Sequence, residues 1–297
     1  MRVYAERQAD KSVAERLRLY WSLIKSPQTG LLLVTGLVGF LSAGLPLRGA
    51  DWLLLGVAGS LFLTISGSTV LNMWYDRDID TLMERTCWRP LPAGKISPNE
   101  ALALGLALAL TGVIGALVID PLFGLIVFAG IFFDVLVYTI WLKRRTPWSI
   151  IWGGIAGGMP LLAGRALAVG QVDWIGLTLT AAILFWIPTH MLTFGMRYLE
   201  DYEAAGVPTV PARYGFRRTR IIIALSSVLA AAAMALAAGG IGLTAGYWAA
   251  LLVVSGALFV LAAMSVIRPS ARLNFGLFKY ASLYMLSAML IIVAGAL

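Results

Sequence analysis

The sequence predicts an all-α polytopic membrane protein, with nine transmembrane helices and a cytoplasmic N-terminus, and three observations carry that reading. The 297 residues are 60% hydrophobic and only 13% charged, against about 25% charged in soluble domains, and the mean hydropathy is +0.85. Nine apolar stretches approach the roughly 20 residues that a hydrocarbon core demands. They run over about 29–46, 52–74, 101–119, 121–142, 148–168, 173–195, 221–239, 243–267 and 278–297. Finally, Lys and Arg are confined to one side of these stretches: with the N-terminus inside, all but Arg48 and Arg165 of the 23 basic residues face the cytoplasm, as the positive-inside rule requires.

That distribution accounts for the net charge of +8 through topology and contact with anionic lipid, so the charge is no argument for nucleic acid. Cys87 is the only cysteine, which excludes an intramolecular disulfide and a cysteine metal cluster. Residues 1–28 lack the apolar core of a signal peptide, and Glu6, Asp10 and Glu15 argue against an acid-poor transit peptide. They are expected to form a cytoplasmic amphipathic lead-in, and 29–297 a single membrane domain.

Within the lead-in, Leu17, Tyr20, Trp21 and Ile24 oppose Arg16 and Arg18, the pattern of a helix lying in the interface. The first span carries Gly30, Gly36 and Gly39, small residues that let helices approach closely in lipid. The second turns polar towards its inner end at Ser66, Ser68, Thr69 and Asn72. Ser97, Pro98 and Glu100 suit the N-cap, N1 and N3 places of the third. Asp120-Pro121 marks a tight turn into the fourth. The fifth contains Gly153, Gly154, Gly157 and Gly158 before Pro160, a segment expected to bend. The sixth ends inside with Trp186, Pro188, His190 and Arg197, followed by the acidic stretch 198–215, and the last three spans read as scaffold.

Chemistry concentrates in the stretch NMWYDRDIDTLMERTCWRPLP, from Asn72 to Pro92. On an α-helix Asn72, Asp76 and Asp80 stack on one face, about 6 Å apart. Such a ladder of oxygens suits Mg²⁺, which takes carboxylates and leaves positions for substrate phosphates. Taken alone, the spacing equally fits a solvated helix end with a local Asp/Arg network. A second acidic stretch around Asp201 and the bases Arg85, Arg89 and Lys143 lie on the same inner face. Together they form what a prenyl diphosphate needs: carboxylates for a divalent metal, cations for phosphate oxygens and a greasy cavity for the tail.

The run NMWYDRDIDTLMERTCWRPLPAGKIS resembles the first signature of the UbiA-type intramembrane prenyltransferases, and its MERT…RPLP part resembles the protoheme IX farnesyltransferases. DYEAAGVPTVP, from Asp201 to Pro211, is similar to the second acidic signature. Trp186 and His190 precede it as the family's Trp and His do, and Lys25-Ser26-Pro27 and Lys143-Arg144 also fit. Three departures stand out: Met159-Pro160-Leu161 replaces paired prolines, Pro188 falls one place early with Thr189 before His190, and Tyr198 and Tyr202 occupy the places of a second DxxxD.

The resemblance implies a Mg²⁺-dependent enzyme of a prokaryotic plasma membrane, its active site facing the cytoplasm. Farnesyl diphosphate and heme b are the implied substrates, with hand-off of product to heme-using membrane enzymes. Asp76, Asp80 and Asp201 would hold the metal, with Asn72 beside them. Arg85, Arg89 and Lys143 would neutralise diphosphate, while Tyr138, His190, Arg197, Tyr198 and Tyr202 would line the substrates. His190, the only histidine, also reads as a satisfied buried group, and Tyr138 as a core aromatic. Asp134, costly in lipid, calls for a partner on a neighbouring helix or a place in the cavity. Other acceptors, a quinone precursor or a chlorophyll-type pigment, fit the same diphosphate chemistry, and a transporter using Asp134 is the reading from outside the enzyme class.

Overall fold

The computed structural model describes residues 12–24, 26–45 and 51–297, so Lys25 and Arg48 lie outside the described residues, as do the charges before Ser12. Every regular element among the described residues is helical. Eight helices are long and apolar enough to cross a membrane, and a ninth span results when the first two helices, bent by 60° against each other, count as one.

Helix α1 (Val13–Leu23) starts at Ser12, whose hydroxyl accepts the Glu15 amide hydrogen. Leu17 and Trp21 are exposed on it, as an interfacial helix requires. The Tyr20 hydroxyl donates to the Glu100 carboxylate, and Arg16 lies 3.4 Å from it, which ties the lead-in to a later span. Helix α2 (Ser26–Leu41) begins in the SPQTG stretch itself, earlier than the hydropathy suggested. Helix α3 (Asp51–Tyr75) is followed by the single turn α4 (Arg77–Asp80).

Helix α5 (Pro98–Ile119) has the expected capping box, with Ser97 accepting from the Glu100 amide and Pro98 in the first turn. Asp120 likewise caps α6 (Pro121–Ile131) through the Phe123 amide at 2.8 Å. The same span then widens into a π-helix over Phe132–Leu142. Helices α7 (Ser149–Val169) and α8 (Trp174–Arg197) retain Pro160 and Pro188 inside them. The acidic stretch is no plain loop: α9 (Leu199–Ala204) occupies its first half, and α10 (Val210–Ile241) starts from a Thr209 cap. Helix α10 thus begins well before the apolar run at 221, and breaks at Gly215, whose φ of 75° suits glycine. Helices α11 (Ala245–Ile267) and α12 (Ala271–Ala296) complete the chain.

Two large buried clusters hold most of the bundle. One joins α8, α10, α11 and α12 around Tyr284, Met234 and Leu258; the other joins α2, α3, α5, α6 and α7 around Phe123, Leu61 and Leu162. Helices α2 and α7 cross at backbone contact: a Cβ on Gly39 would run into the Leu161 carbonyl, and one on Gly164 into that of Gly36. Gly164→Val should force the helices apart and lower stability by about 2–3 kcal/mol, read as a fall in melting temperature in detergent.

Far from the basic end, Arg165 is 5% exposed yet fully engaged. Its guanidinium donates to both Asp173 oxygens and to the carbonyl and hydroxyl of Ser42. Burial alone would raise the Asp173 carboxyl, but Arg165 and the Gly176 amide outweigh it and hold it below the ordinary range. This clamp joins the ends of α2, α7 and α8.

Candidate active site

The backbone keeps the acid ladder in register while bending it. The Asp76 amide donates to the Asn72 carbonyl and the Asp80 amide to that of Asp76, each at 2.9 Å. Asp76 itself (φ −82°, ψ 3°) leaves helical geometry. Asp76 is 2% and Asp80 4% exposed, which removes the reading of a solvated helix end. Asp78, between them, is the outward residue: it takes a bidentate contact from Arg144 at 2.6 and 2.7 Å, which holds its carboxyl below the ordinary range.

Buried carboxylates need counter-charges or an ion, and each here meets a base from another part of the chain. Lys143 Nζ bonds Asp76 Oδ2, Arg144 stands 3.7 Å from Asp76 Oδ1, and Arg89 lies 2.7 Å from Asp80. Burial opposes the Lys143 charge, but Tyr138 and Asp76 more than offset it, and its pKa is raised. Asp201, on α9, accepts the Glu84 amide at 3.1 Å and lies 4.0 Å from Arg85. Arg85 in turn sits 5.0 Å from the Phe194 ring and 5.5 Å from that of Tyr198. The second acidic stretch therefore closes onto the loop that follows the first, over a small core of Ile79, Met83 and Val207 with Tyr202 against it.

The π-helix explains how one span delivers four polar residues to this place. Its hydrogen bonds run from i to i+5, so Thr139 lies one turn beyond Asp134 and Lys143 one turn beyond Tyr138. The Thr139 hydroxyl donates to the Asp134 carbonyl at 2.7 Å, and Lys143 Nζ stands 5.8 Å from the Tyr138 ring centre. An α-helical period would instead set Tyr138 on the face of Asp134. The Asp134 carboxylate finds its partner on the neighbouring span, accepting from the Ser68 hydroxyl at 2.5 Å. Asn72 Nδ2 donates to Thr139 Oγ1 at 2.7 Å, which turns its Oδ1 away from Thr139.

Tyr138, Lys143 and Tyr202 share one cleft with Gly195, Val207 and Pro211. His190 lies deeper, about 10 Å up α8 from Arg197 at roughly 1.5 Å per residue. Its ring is stacked between Trp186 at 5.0 Å and Phe278 at 4.6 Å, and Nδ1 lies 3.2 Å from the Ser282 hydroxyl. Arg197 turns to α12, 4.1 Å from the Phe275 ring and 5.6 Å from Tyr198. Thr189, where the chain departs from the expected pattern, is fully buried and bonds Ser227 of α10 at 2.8 Å, so it serves helix packing. Thr139, Phe194 and Phe278 join the site without having been expected there, and Arg144, matched with Lys143 in the resemblance but given no role, joins it through Asp76 and Asp78.

Among the described residues no three carboxylate, histidine or cysteine side chains stand close enough to hold one ion between them. Even so, the donors suit a hard cation that takes one or two carboxylates and completes its shell with phosphate and water. Asp76 Oδ1 is buried without a hydrogen-bond partner, an oxygen left available in an acid-rich place.

Fold and site thus define a polytopic helical membrane protein with a half-buried acid–base centre at one end of the bundle. Residues 32–290 match the UbiA prenyltransferase family. The protoheme IX farnesyltransferase of Archaeoglobus fulgidus is 43% identical over 221 residues, 74% of this chain and 77% of that protein. That of Korarchaeum cryptofilum is 44% identical over 207 residues, 70% and 69% of the two chains. Among solved structures, a digeranylgeranylglyceryl phosphate synthase superposes with a TM-score of 0.79 at 22% identity, over 95% of this chain and 99% of that one. A UbiA homolog from Archaeoglobus fulgidus bound to GPP and Mg²⁺ gives 0.68 at 17% identity, over 92% and 99%. The chain belongs to the UbiA prenyltransferase family.

Proposed function

We propose that the protein transfers a farnesyl group from farnesyl diphosphate to a vinyl carbon of protoheme IX, giving heme O and diphosphate. The observation that carries the diphosphate half is the convergence of Arg85, Arg89, Lys143 and Arg144 on Asp76, Asp80 and Asp201 at one end of an apolar bundle. The acceptor rests on the relatives, several of which bear the name protoheme IX farnesyltransferase at 40–44% identity. The excess of bases at this end supports a cytoplasmic orientation in a prokaryotic plasma membrane.

Asp76 and Asp80 would hold Mg²⁺ on one side and Asp201 on the other, each through one or two carboxylates and not as one three-carboxylate cluster, with Asn72 Oδ1 beside the first pair. Bound there, the metal would supply charge stabilisation for the departing diphosphate. The residues of this chain do the rest. Arg89 and Lys143, paired with Asp80 and Asp76 in the free protein, exchange those partners for phosphate oxygens. Arg85 caps the same group from its aromatic seat on Phe194 and Tyr198. The allylic C–O bond breaks, its electron pair leaves with the diphosphate, and Tyr138 offers a ring face to the cation. The apolar bundle keeps water from it until the vinyl carbon forms the new C–C bond. Water then captures the heme-side cation and loses a proton, leaving a hydroxyethylfarnesyl group.

Thr139→Val removes the acceptor that orients Asn72 while preserving shape. The Mg²⁺ concentration for half-maximal turnover should rise several-fold, and Thr139→Ser should restore it. For the function itself, purified protein is incubated with radiolabelled farnesyl diphosphate, Mg²⁺ and separate acceptors: heme b, a quinone precursor and a chlorophyll-type pigment. Prenylated heme is the expected product. Product with another acceptor alone overturns the heme reading, and no product with no diphosphate release overturns the enzyme.

A further inference from the structure

Among the bases without an ion pair in the described residues, two from different helices meet at one aromatic ring. Arg197, the last residue of α8, and Lys279, in the first part of α12, have no carboxylate within 4.0 Å among the described residues. Both instead stand over one ring: Arg197 Cζ lies 4.1 Å and Lys279 Nζ 4.6 Å from the centre of Phe275. Such seats hold a cation loosely and keep it available. Below Phe275 the rings are nearly parallel in sequence: 11° to Phe278, then 24° to His190 and 19° to Trp186. Phe275, Phe278 and His190 are each only partly covered, so the stack forms an open aromatic ledge running from the basic end into the bundle. Phe194 joins that ledge to the diphosphate side, 5.7 Å from Phe278 and 5.0 Å from Arg85.

We infer that Arg197 and Lys279 anchor the two carboxylates of a flat aromatic dicarboxylate laid along this ledge, which on the function proposed above are the propionates of heme. The diphosphate has its own seat where bases stand beside acids, at Arg85 with Asp201, Arg89 with Asp80 and Lys143 with Asp76. A flat dianion has the complementary demands: two cations from different helices at the aqueous end, and ring faces and edges deeper in. The arrangement also sets donor and acceptor on either side of Phe194, so the apolar part of the acceptor reaches the allylic carbon while its charges stay at the membrane surface. Lys279 is the specific assignment, since among the described residues its ammonium stands over the Phe275 ring and makes no ion pair.

Lys279→Gln and Arg197→Gln are compared with the parent protein for the KM of heme and of farnesyl diphosphate, and by a heme titration followed in the Soret band. Each substitution should raise the heme KM and dissociation constant about tenfold, the worth of one charge-assisted contact, with a smaller effect on farnesyl diphosphate. Heme dimethyl ester, which loses both contacts, should bind the parent protein about a hundredfold more weakly than heme does and more weakly than heme binds either variant, and Lys279→Arg should bind heme normally. Unchanged heme affinity in both glutamine variants, or equal affinity of the parent for heme and its diester, overturns the anchor. The titration needs no turnover, so a parent that binds heme but makes no prenylated product overturns the proposed reaction and leaves the anchor to be decided by the variants.

Discussion

Asp76→Asn should abolish turnover and also destabilise the protein, and a double substitution should separate the two effects. Asp76 is 2% exposed and its partner Lys143 only 16%, so neutralising the acid leaves a buried ammonium without its counter-charge. Breaking a buried pair from one side costs about 3–5 kcal/mol. Turnover should fall at least about a thousandfold, some 4 kcal/mol at roughly 1.4 kcal/mol per decade, because a metal ligand and the anchor of Lys143 are lost together. Adding Lys143→Met to Asp76→Asn should recover most of the melting temperature, since an uncharged pair of similar volume replaces the ions. It should recover no activity. Restored turnover in the double variant, or full turnover in the single one, would show that Asp76 is structural only.

Asp201→Asn should reproduce the loss of turnover without the loss of stability. Its carboxylate is more open, at 16%, and its nearest base, Arg85, stands 4.0 Å away, a separation at which an ion pair contributes about 1 kcal/mol or less. The asparagine oxygen can still accept the Glu84 amide hydrogen now held at 3.1 Å, so the contact between the two acidic stretches persists. Turnover should nevertheless drop about a hundred- to a thousandfold, as expected for removing charge stabilisation of a leaving group. Product assays beside thermal unfolding in detergent test the contrast. A melting temperature that falls as far as in Asp76→Asn would contradict it.

Much of the fold was legible because its signals are local. The Ser97 capping box and the Asp120-Pro121 turn are satisfied within four residues of chain, and both appear as read. Span positions follow from hydropathy, which the bilayer imposes residue by residue. The errors of extent, at the start of α2 and of α10, fall where polar or proline-containing turns remain helical because neighbouring segments pack on them. The π-helix was not legible at all, since its residues scan as an ordinary apolar span and a widened turn is stabilised by contacts such as Ser68 to Asp134.

The sequence by itself determined the class of protein, that charge collects at one end of the spans, and the identity of the acids and bases, because composition and spacing are properties of the chain alone. Only the tertiary structure decided which base meets which acid, that Asp76 and Asp80 are buried while Asp78 is not, and that His190 is stacked between Trp186 and Phe278. Those outcomes depend on helices distant in sequence. A half-buried charge takes whichever partner packing brings within reach, and no period along the chain encodes that choice.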